Sequence, residues 1–551
     1  RASTTDSAQV VYITDSNKNG FFKLNPSAKG TDDGVTLIIS GNNRYERIFD
    51  GKVNVNWFGI IGDGESDQSS AIQQLLNNTR YLILYFPKPE ISYKIGNIRI
   101  YSNKTLIFED GTLIEGTGNY INGAMVFMYD AENITIKGNN VTFSDPNPNY
   151  NTTEWRNIFH MGGVSNVIIE GIAANNGGGD GFYIGTGSAK KFSENVKLTN
   201  ISADRNRRQG ISLITGKNIE IINPTLTNTK GILPGAGLDI EPNSPDHFLE
   251  NIKIINPKTA NNSGAGIIVG PNALSGSGKI VDITISNHFD DGSAYGFLTT
   301  TVTQTLTGSV VVTNPTWRNA KGCAFVSRNW SHQGPSVQIT SPIITNPNTL
   351  ATTSPNLGAA ILIYRAANDA GTSNLGNIHI TNPTIQDTRS RQLLTSSFCY
   401  RDLKGGNKIL NCSLENPILS FSAPANRYLI AHNTELVISD KHQYLSSDFN
   451  NYTRYVNYAY YTSVYHNETS TATRLLNLAN VNANFPEVTV EVKSPFHIRI
   501  VPEAINNILP LSNGLGKYLT SNIVGSRITL KKINATSWAV KEMIGTWTVQ
   551  P

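Results

Sequence analysis

Between Asn166 and Asn416 an aliphatic strand phrase closed by Asn-Pro or an equivalent returns about every 23 to 41 residues. Strong copies are NIEIINPTL (Asn218–Leu226), NIKIINPKT (Asn251–Thr259), SVVVTNPTW (Ser309–Trp317), SVQITSPII (Ser336–Ile344) and NIHITNPTI (Asn377–Ile385). Weaker copies begin at Asn166, Asn195 and Asp282. A second strand, opened by Gly, follows each phrase: GFYIG, GISLI, GLDIE, GIIVG, GFLTT and GCAFV, starting at Gly181, Gly210, Gly237, Gly266, Gly296 and Gly322. Self-similarity at this period, with alternating apolar positions, predicts a β-solenoid whose coils bury their apolar faces on one another. Asn176, Asn228, Asn261 and Asn319 recur five residues after the phrase-closing position and are read as hydrogen-bonded corner ladders.

The pattern divides the chain into three. Residues 1–51 read as short strands and turns, and 52–420 as the solenoid. Residues 421–551 read as a separate β domain that caps the solenoid, joins subunits and could bind carbohydrate through the Tyr-rich stretch from Tyr444 to Tyr465. A short amphipathic helix near 69–78, with Ile72, Leu75 and Leu76 on one face and Ser69 or Asp67 as its cap, is placed to plug the open end.

Composition narrows the classes. Lys+Arg number 45 and Asp+Glu 41, a formal charge of +4. That argues against a nucleic-acid protein and permits an acidic substrate. No run of about 18 apolar residues suggests a membrane span. Three cysteines, odd in number and widely spaced, imply neither a disulfide framework nor a metal site, and no cofactor is called for. With no initiating Met and no signal-peptide pattern, the chain is expected to begin partway into a longer protein.

The stretch FDGKVNVNWFGIIGDGESDQSSAIQQLL carries Trp57, Phe58, Gly59, Gly62, Asp63, Gly64, Asp67, Ala71, Ile72 and Gln73. It resembles the opening of the pectate-lyase-like right-handed parallel β-helix superfamily and, with NGFFKL and RYERIF upstream, bacteriophage tailspike capsule depolymerases. The resemblance covers about residues 15 to 420. It implies an all-β right-handed parallel β-helix, a homotrimer on the virion joined to the rest of the phage tail through a missing N-terminal segment, and degradation of bacterial surface polysaccharide. Asp63 and Asp67 sit in a Gly-rich turn and are read as structural.

Chemistry is sought among the acids. In GLDIE, Leu238 and Ile240 match the inward positions Ile211, Leu213, Ile267 and Val269, so Asp239 and Glu241 are expected side by side on the outer face, roughly 6.5–7 Å apart. Paired carboxyls suit glycosidic hydrolysis, one as acid and one as base or nucleophile. D-I-E-P here is also a recurring phrase in the resembled depolymerases. Asp180, Asp204, Asp290 and Asp291 are second choices. Tyr183, roughly 10 Å along the groove, is a sugar-stacking candidate. Arg205 and Arg208, with Arg207, could clamp an acidic sugar, and Asp246 and His247 are placed on a loop walling the site. His332, Arg328 and Arg365 edge another loop. A hydrolase is the leading reading; a lyase on the same scaffold, or a non-catalytic adhesin, are the alternatives.

Overall fold

The computed structural model describes residues 9–421 apart from 151–153, 355, 370 and 405–406, and beyond 421 the segments 427–432, 434–439, 463–466, 473–478, 487–502, 507–511, 514–534 and 536–550. They form a right-handed parallel β-solenoid of about 14 turns with small sheets at both ends. The chain packs as two compact units, residues 1–225 with 229–232 and residues 226–228 with 233–551.

In the first unit each coil repeats the same alternation. Val167, Val196 and Ile219 stack in register, as do Ile169, Leu198 and Ile221, all at most 1% exposed. Their strand neighbours face out, where Lys197 pairs with Glu220 at 2.9 Å. Burying each such aliphatic side chain contributes about 1.5–3 kcal/mol, so an in-register column stabilises far more than its surface ion pairs. A second parallel sheet runs through Ile98–Arg99, Ala124–Tyr129, Asn157–Gly162, Phe182–Gly185 and Ile211–Leu213. Phe159 and Phe182 stack inside it at 5.1 Å.

The corners turn on asparagine. Asn133, Asn166, Asn195 and Asn218 open their strand phrases at φ of 57°, 54°, 52° and 53°, the left-handed region that most side chains avoid. Each donates its amide to the preceding one, Asn166 to Asn133, Asn195 to Asn166 and Asn218 to Asn195, all at 3.0 Å. The ladder therefore runs through the phrase-opening Asn. The expected positions are left-handed corners too, but Asn176 donates to Ser144 Oγ at 2.9 Å and Asn319 to Asp291 at 2.7 Å.

Ahead of the coils, Val10–Ile13, Gly20–Leu24, Leu37–Ser40 and Asn43–Arg47 form an antiparallel sheet. Buried Arg47 binds it to the first coil, lying 4.6 Å over Phe22 and 4.1 Å over Trp57. The helix spans Ser69–Asn77 and buries Ile72, Leu75 and Leu76. Its N-cap is Gln68, not Asp67 or Ser69, because the Asp67 carboxylate accepts from Ser69 N–H and Oγ (2.9 and 2.6 Å) one step before a capping position. Asp63 likewise ties its own turn, accepting from Glu65 and Ser66.

In the second unit the corresponding sheet holds Leu238–Ile240, Ala265–Val269, Tyr295–Val302, Phe325–Trp330, Ala359–Arg365 and Ser396–Asp402. Inside, Phe297, Trp317 and Phe325 stack. Toward the C-terminus, Val488, Val490, Ile498, Ile500, Leu519, Ile528, Leu530 and Trp538 form a core of their own. Nearly all of the Tyr444–Tyr465 stretch lies outside the described residues. Cys323, Cys399 and Cys412 are buried free thiols.

Asp290 and Asp291 cannot act as a pair, because strand alternation sends them to opposite faces. Asp290 points inward, fully buried, accepting from Thr259 Oγ1 (2.7 Å) and Ser293 Oγ (2.6 Å). His288, bonded to Thr259 and Trp317, completes the network. Burial pushes the Asp290 carboxyl up to about 7 against those hydrogen bonds. The neutral acid is therefore the form the fold favours; its stabilisation is complete below the ordinary value of 3.8 and is lost as pH rises toward 7. Asp290→Asn is expected to raise the thermal midpoint at pH 8 by a few degrees over wild type and to flatten its decline between pH 4 and 8. Paired melting curves across that range check this.

Candidate functional site

Outward on the pleat does not mean outward to water. Leu238 and Ile240 do occupy the inward register, paired with Ile267 and Val269, and Asp239 pairs with Ile268 on the other face. Yet Asp239 is only 1% exposed. Toward the C-terminus its column continues through Ile268, Leu298, Val326, Leu362 and Cys399, most of them also buried. Apolar packing on this outer face, where Ala236, Ala265 and Ile268 meet Tyr295 and Leu298, is what the alternation rule leaves out. Glu241 is exposed and lies beyond the strand, which ends at Ile240. The expectation of two solvated carboxylates side by side on one strand is thereby corrected.

The remaining acids and bases separate. Asp204 is paired with Arg205 at 2.5 Å, and Arg205 Nε also donates to Asn176. Asp246 is exposed, while His247 is buried beneath its own loop, its Nδ1 accepting from Asn243 N–H at 3.1 Å. Arg328 is held by Asp369, and fully buried Arg365 by Asp402, so neither is an open cation. His332 Nδ1 donates to the Asn374 carbonyl.

Two of the named residues do come together, in the first unit. Asp180, 1% exposed, faces Arg208 Nη1 at 3.2 Å, and Ser212 Oγ lies 3.4 Å from the same nitrogen. Glu154, 42% exposed at its side chain, approaches Arg208 Nε at 3.7 Å, a loose ion pair and not a hydrogen bond. Trp155, 51% exposed, lies 5.8 Å from the guanidinium carbon. Burial pushes the Asp180 carboxyl up to about 6, although the Arg208 charge and hydrogen bonds from Ser212, Arg208 and Gln209 pull the other way. A buried acid and a wetter carboxylate thus share one guanidinium beside an exposed indole.

Parallel register builds the wall next to them. Arg99, Phe127, His160, Tyr183 and Ser212 form one outward column. The His160 ring lies 4.4 Å from Tyr183 and 4.9 Å from Tyr129. Burial takes His160 down to about 4, so it is neutral at physiological pH, and lifts Tyr183 to about 12, with the Asp180 charge adding. Glycine makes room. A Cβ at Gly162 would sit 2.5 Å from the Thr186 carbonyl and 2.8 Å from the Tyr129 ring; at Gly185 it would sit 2.6 Å from the Tyr183 ring. Beyond this face, the Asp130 carboxylate accepts from the backbone N–H groups of Ser188, Ala189 and Lys190, folding that loop beside Tyr129.

Sequence reasoning missed His160, Tyr129, Glu154 and Trp155 because they precede the regular phrases. The signal that finds Tyr129 and His160 is the register, since Phe127-x-Tyr129 and His160-x-Gly162 align with Tyr183-x-Gly185; Glu154 and Trp155 lie outside it. Among the described residues no group of three or more His, Cys, Asp or Glu could hold a metal ion.

No protein-family model matches the sequence, and no curated protein does. By fold the chain is similar to a family 28 exopolygalacturonase of Yersinia enterocolitica, at 14% identity and a TM-score of 0.52 over 73% of this chain and 80% of that one. The pre-mature gene product 12 of bacteriophage phi29 gives 14% and 0.52 over 81% and 57%. The tailspike gp49 of Acinetobacter baumannii bacteriophage Fri1, a capsular polysaccharide depolymerase, gives 12% and 0.45 over 93% and 86%. What the chain shares with the exopolygalacturonase and the phi29 product is the fold, a right-handed parallel β-helix.

The two glycines separate stability from site geometry. Gly162→Ala meets backbone, which cannot yield, and is expected to lower the melting midpoint by several degrees. Gly185→Ala meets only a ring edge, and is expected to melt close to wild type while changing the near-ultraviolet circular dichroism of the tyrosines. Melting curves and spectra of both variants check this.

Proposed function

We propose that this chain is a phage-tailspike depolymerase that binds a bacterial capsular or exopolysaccharide across the outer face of the first unit and hydrolyses its glycosidic bonds. The observation that carries the reading is the asymmetric carboxyl pair on Arg208. A general acid must hold its proton near working pH, and the buried Asp180 carboxyl meets that condition; a base or nucleophile must be ionised and accessible, which suits Glu154. Trp155 and Tyr183 offer flat faces for sugar rings. A homotrimeric assembly on the virion, acting at the bacterial surface with residues 421–551 as the cap, belongs to the same proposal and comes from the resemblance of the opening motif.

A lyase is the second reading, favoured by one feature. Neutral His160, bonded to the Tyr129 hydroxyl and tilted against the Tyr183 ring, is a proton-transfer set of the kind that β-elimination beside a uronate carboxylate needs.

The test is incubation with a panel of capsular polysaccharides, following reducing ends and ultraviolet absorbance together. Hydrolysis releases reducing ends without an unsaturated product, whereas elimination adds absorbance. Asp180→Asn and Glu154→Gln are each expected to lower kcat by about 10²–10⁴-fold. Because Asp180 must be protonated, kcat/KM is expected to fall as pH rises through about 6. Full activity in both variants overturns the assignment, and binding without any release of oligosaccharide makes the chain an adhesin.

A further inference from the structure

A chain of hydrogen bonds on this face has a defined direction. The Asp180 backbone N–H donates to Asn157 Oδ1 at 2.8 Å, which fixes the Asn157 amide with its oxygen toward Asp180. Its Nδ2 then faces His160 Nδ1, 3.5 Å away. An amide nitrogen only donates, so this contact favours the tautomer in which His160 Nδ1 is the unprotonated ring nitrogen. His160 is neutral, since burial lowers it to about 4, and its single proton therefore sits on Nε2. Nε2 lies 3.0 Å from the Tyr129 hydroxyl. That hydroxyl accepts from His160, and its own proton must point elsewhere; no described residue receives it.

We infer that Asn157 and His160 are positioning residues that turn Tyr129 into an obligate hydrogen-bond donor on the open face, forming a subsite for an acceptor-only oxygen of the glycan, either a sugar carboxylate or an N-acetyl carbonyl. A sugar hydroxyl can donate or accept and would be served by either histidine tautomer; a carboxylate or carbonyl is served by this one alone. The charge balance agrees. Arg99, on the same outward column as Phe127 and His160, reaches the Tyr129 carbonyl at 3.4 Å and brings its positive charge to the phenol. The nearby Asp130 carboxylate is occupied by three backbone N–H groups. The inference rests on the polysaccharide reading of this face for its ligand, but not for its proton positions.

Two measurements test it. Neutron diffraction from deuterated crystals of the whole chain near pH 7 is expected to show deuterium on His160 Nε2, none on Nδ1, and the Tyr129 deuteron directed away from the imidazole; deuterium on Nδ1 overturns the inference. Calorimetric titration with hexamers of galacturonate, N-acetylglucosamine and glucose supplies the ligand arm. Tyr129→Phe is expected to weaken binding of a carboxylate- or acetyl-bearing hexamer by about tenfold, as loss of one hydrogen bond to a strong acceptor does, and to leave the glucose hexamer unchanged. The two charged and acetylated hexamers tell the two oxygen sources apart. Asn157→Asp keeps the bond to Asp180 but replaces the donor facing Nδ1 by an acceptor, which reverses the tautomer; it is expected to reproduce the Tyr129→Phe loss, with no further loss in the double variant. Equal losses for all three hexamers, or additive losses in the double variant, overturn the inference. If no hexamer binds, the neutron result alone decides. A chain that cleaves no capsule refutes the depolymerase reading and leaves the proton positions standing.

Discussion

Parallel register between successive coils is the constraint from which the rest follows. Once Val167, Val196 and Ile219 are locked above one another, every residue two positions along is locked too, and the outer face becomes a set of straight columns. The corners enforce this. An asparagine held at a left-handed φ costs about 1–2 kcal/mol relative to an ordinary backbone, and the amide bond it makes to the coil beneath offsets part of that cost while forbidding slippage. A slip by one residue would turn the aliphatic columns out to water and lose every ladder bond at once. Rigid columns, in turn, are what hold Phe127, His160 and Tyr183 in one line without any loop to position them.

The period, the parallel coils, the plugging helix and the inward residues were all legible, because apolar alternation and Gly or Asn at turns are local signals. The site was legible only in part. Asp180, Tyr183 and Arg208 were visible as candidates, since they stand beside the phrases that define the period. Glu154 and Trp155 stand outside any repeat, and nothing local distinguishes them from other polar turns. Asp239 shows the deeper difficulty. Alternation tells which face of a strand a side chain takes, but whether that face is wet depends on chain arriving from elsewhere, as the burial of Ile268, Val326, Leu362 and Cys399 shows. Asp290 fails as a second-choice catalytic acid for the complementary reason: strand alternation turns it into the core.

Burial also sets the chemistry of the face that was found. Desolvation disfavours the charged form of both groups: it raises Asp180 to about 6, so that the acid is protonated below that pH, and lowers His160 to about 4, so that the imidazole is neutral near pH 7. Below about pH 6 the acid holds a proton it can give, and near pH 7 the imidazole holds one proton on a defined nitrogen. Arg208 moderates the first effect without reversing it, because its guanidinium is divided between Asp180, Glu154 and Ser212. Hydrogen-bonding groups in fixed orientations next to exposed aromatic faces suit a ligand rich in oxygen.

The most direct measurement is a crystal structure of the catalytically impaired Asp180→Asn chain soaked with an oligosaccharide from a capsule that the wild type degrades. The account requires sugar density lying across Trp155 and Tyr183, with a glycosidic oxygen within hydrogen-bonding reach of residue 180. Sugar bound on the second unit alone, with Trp155 and Tyr183 untouched, would contradict it.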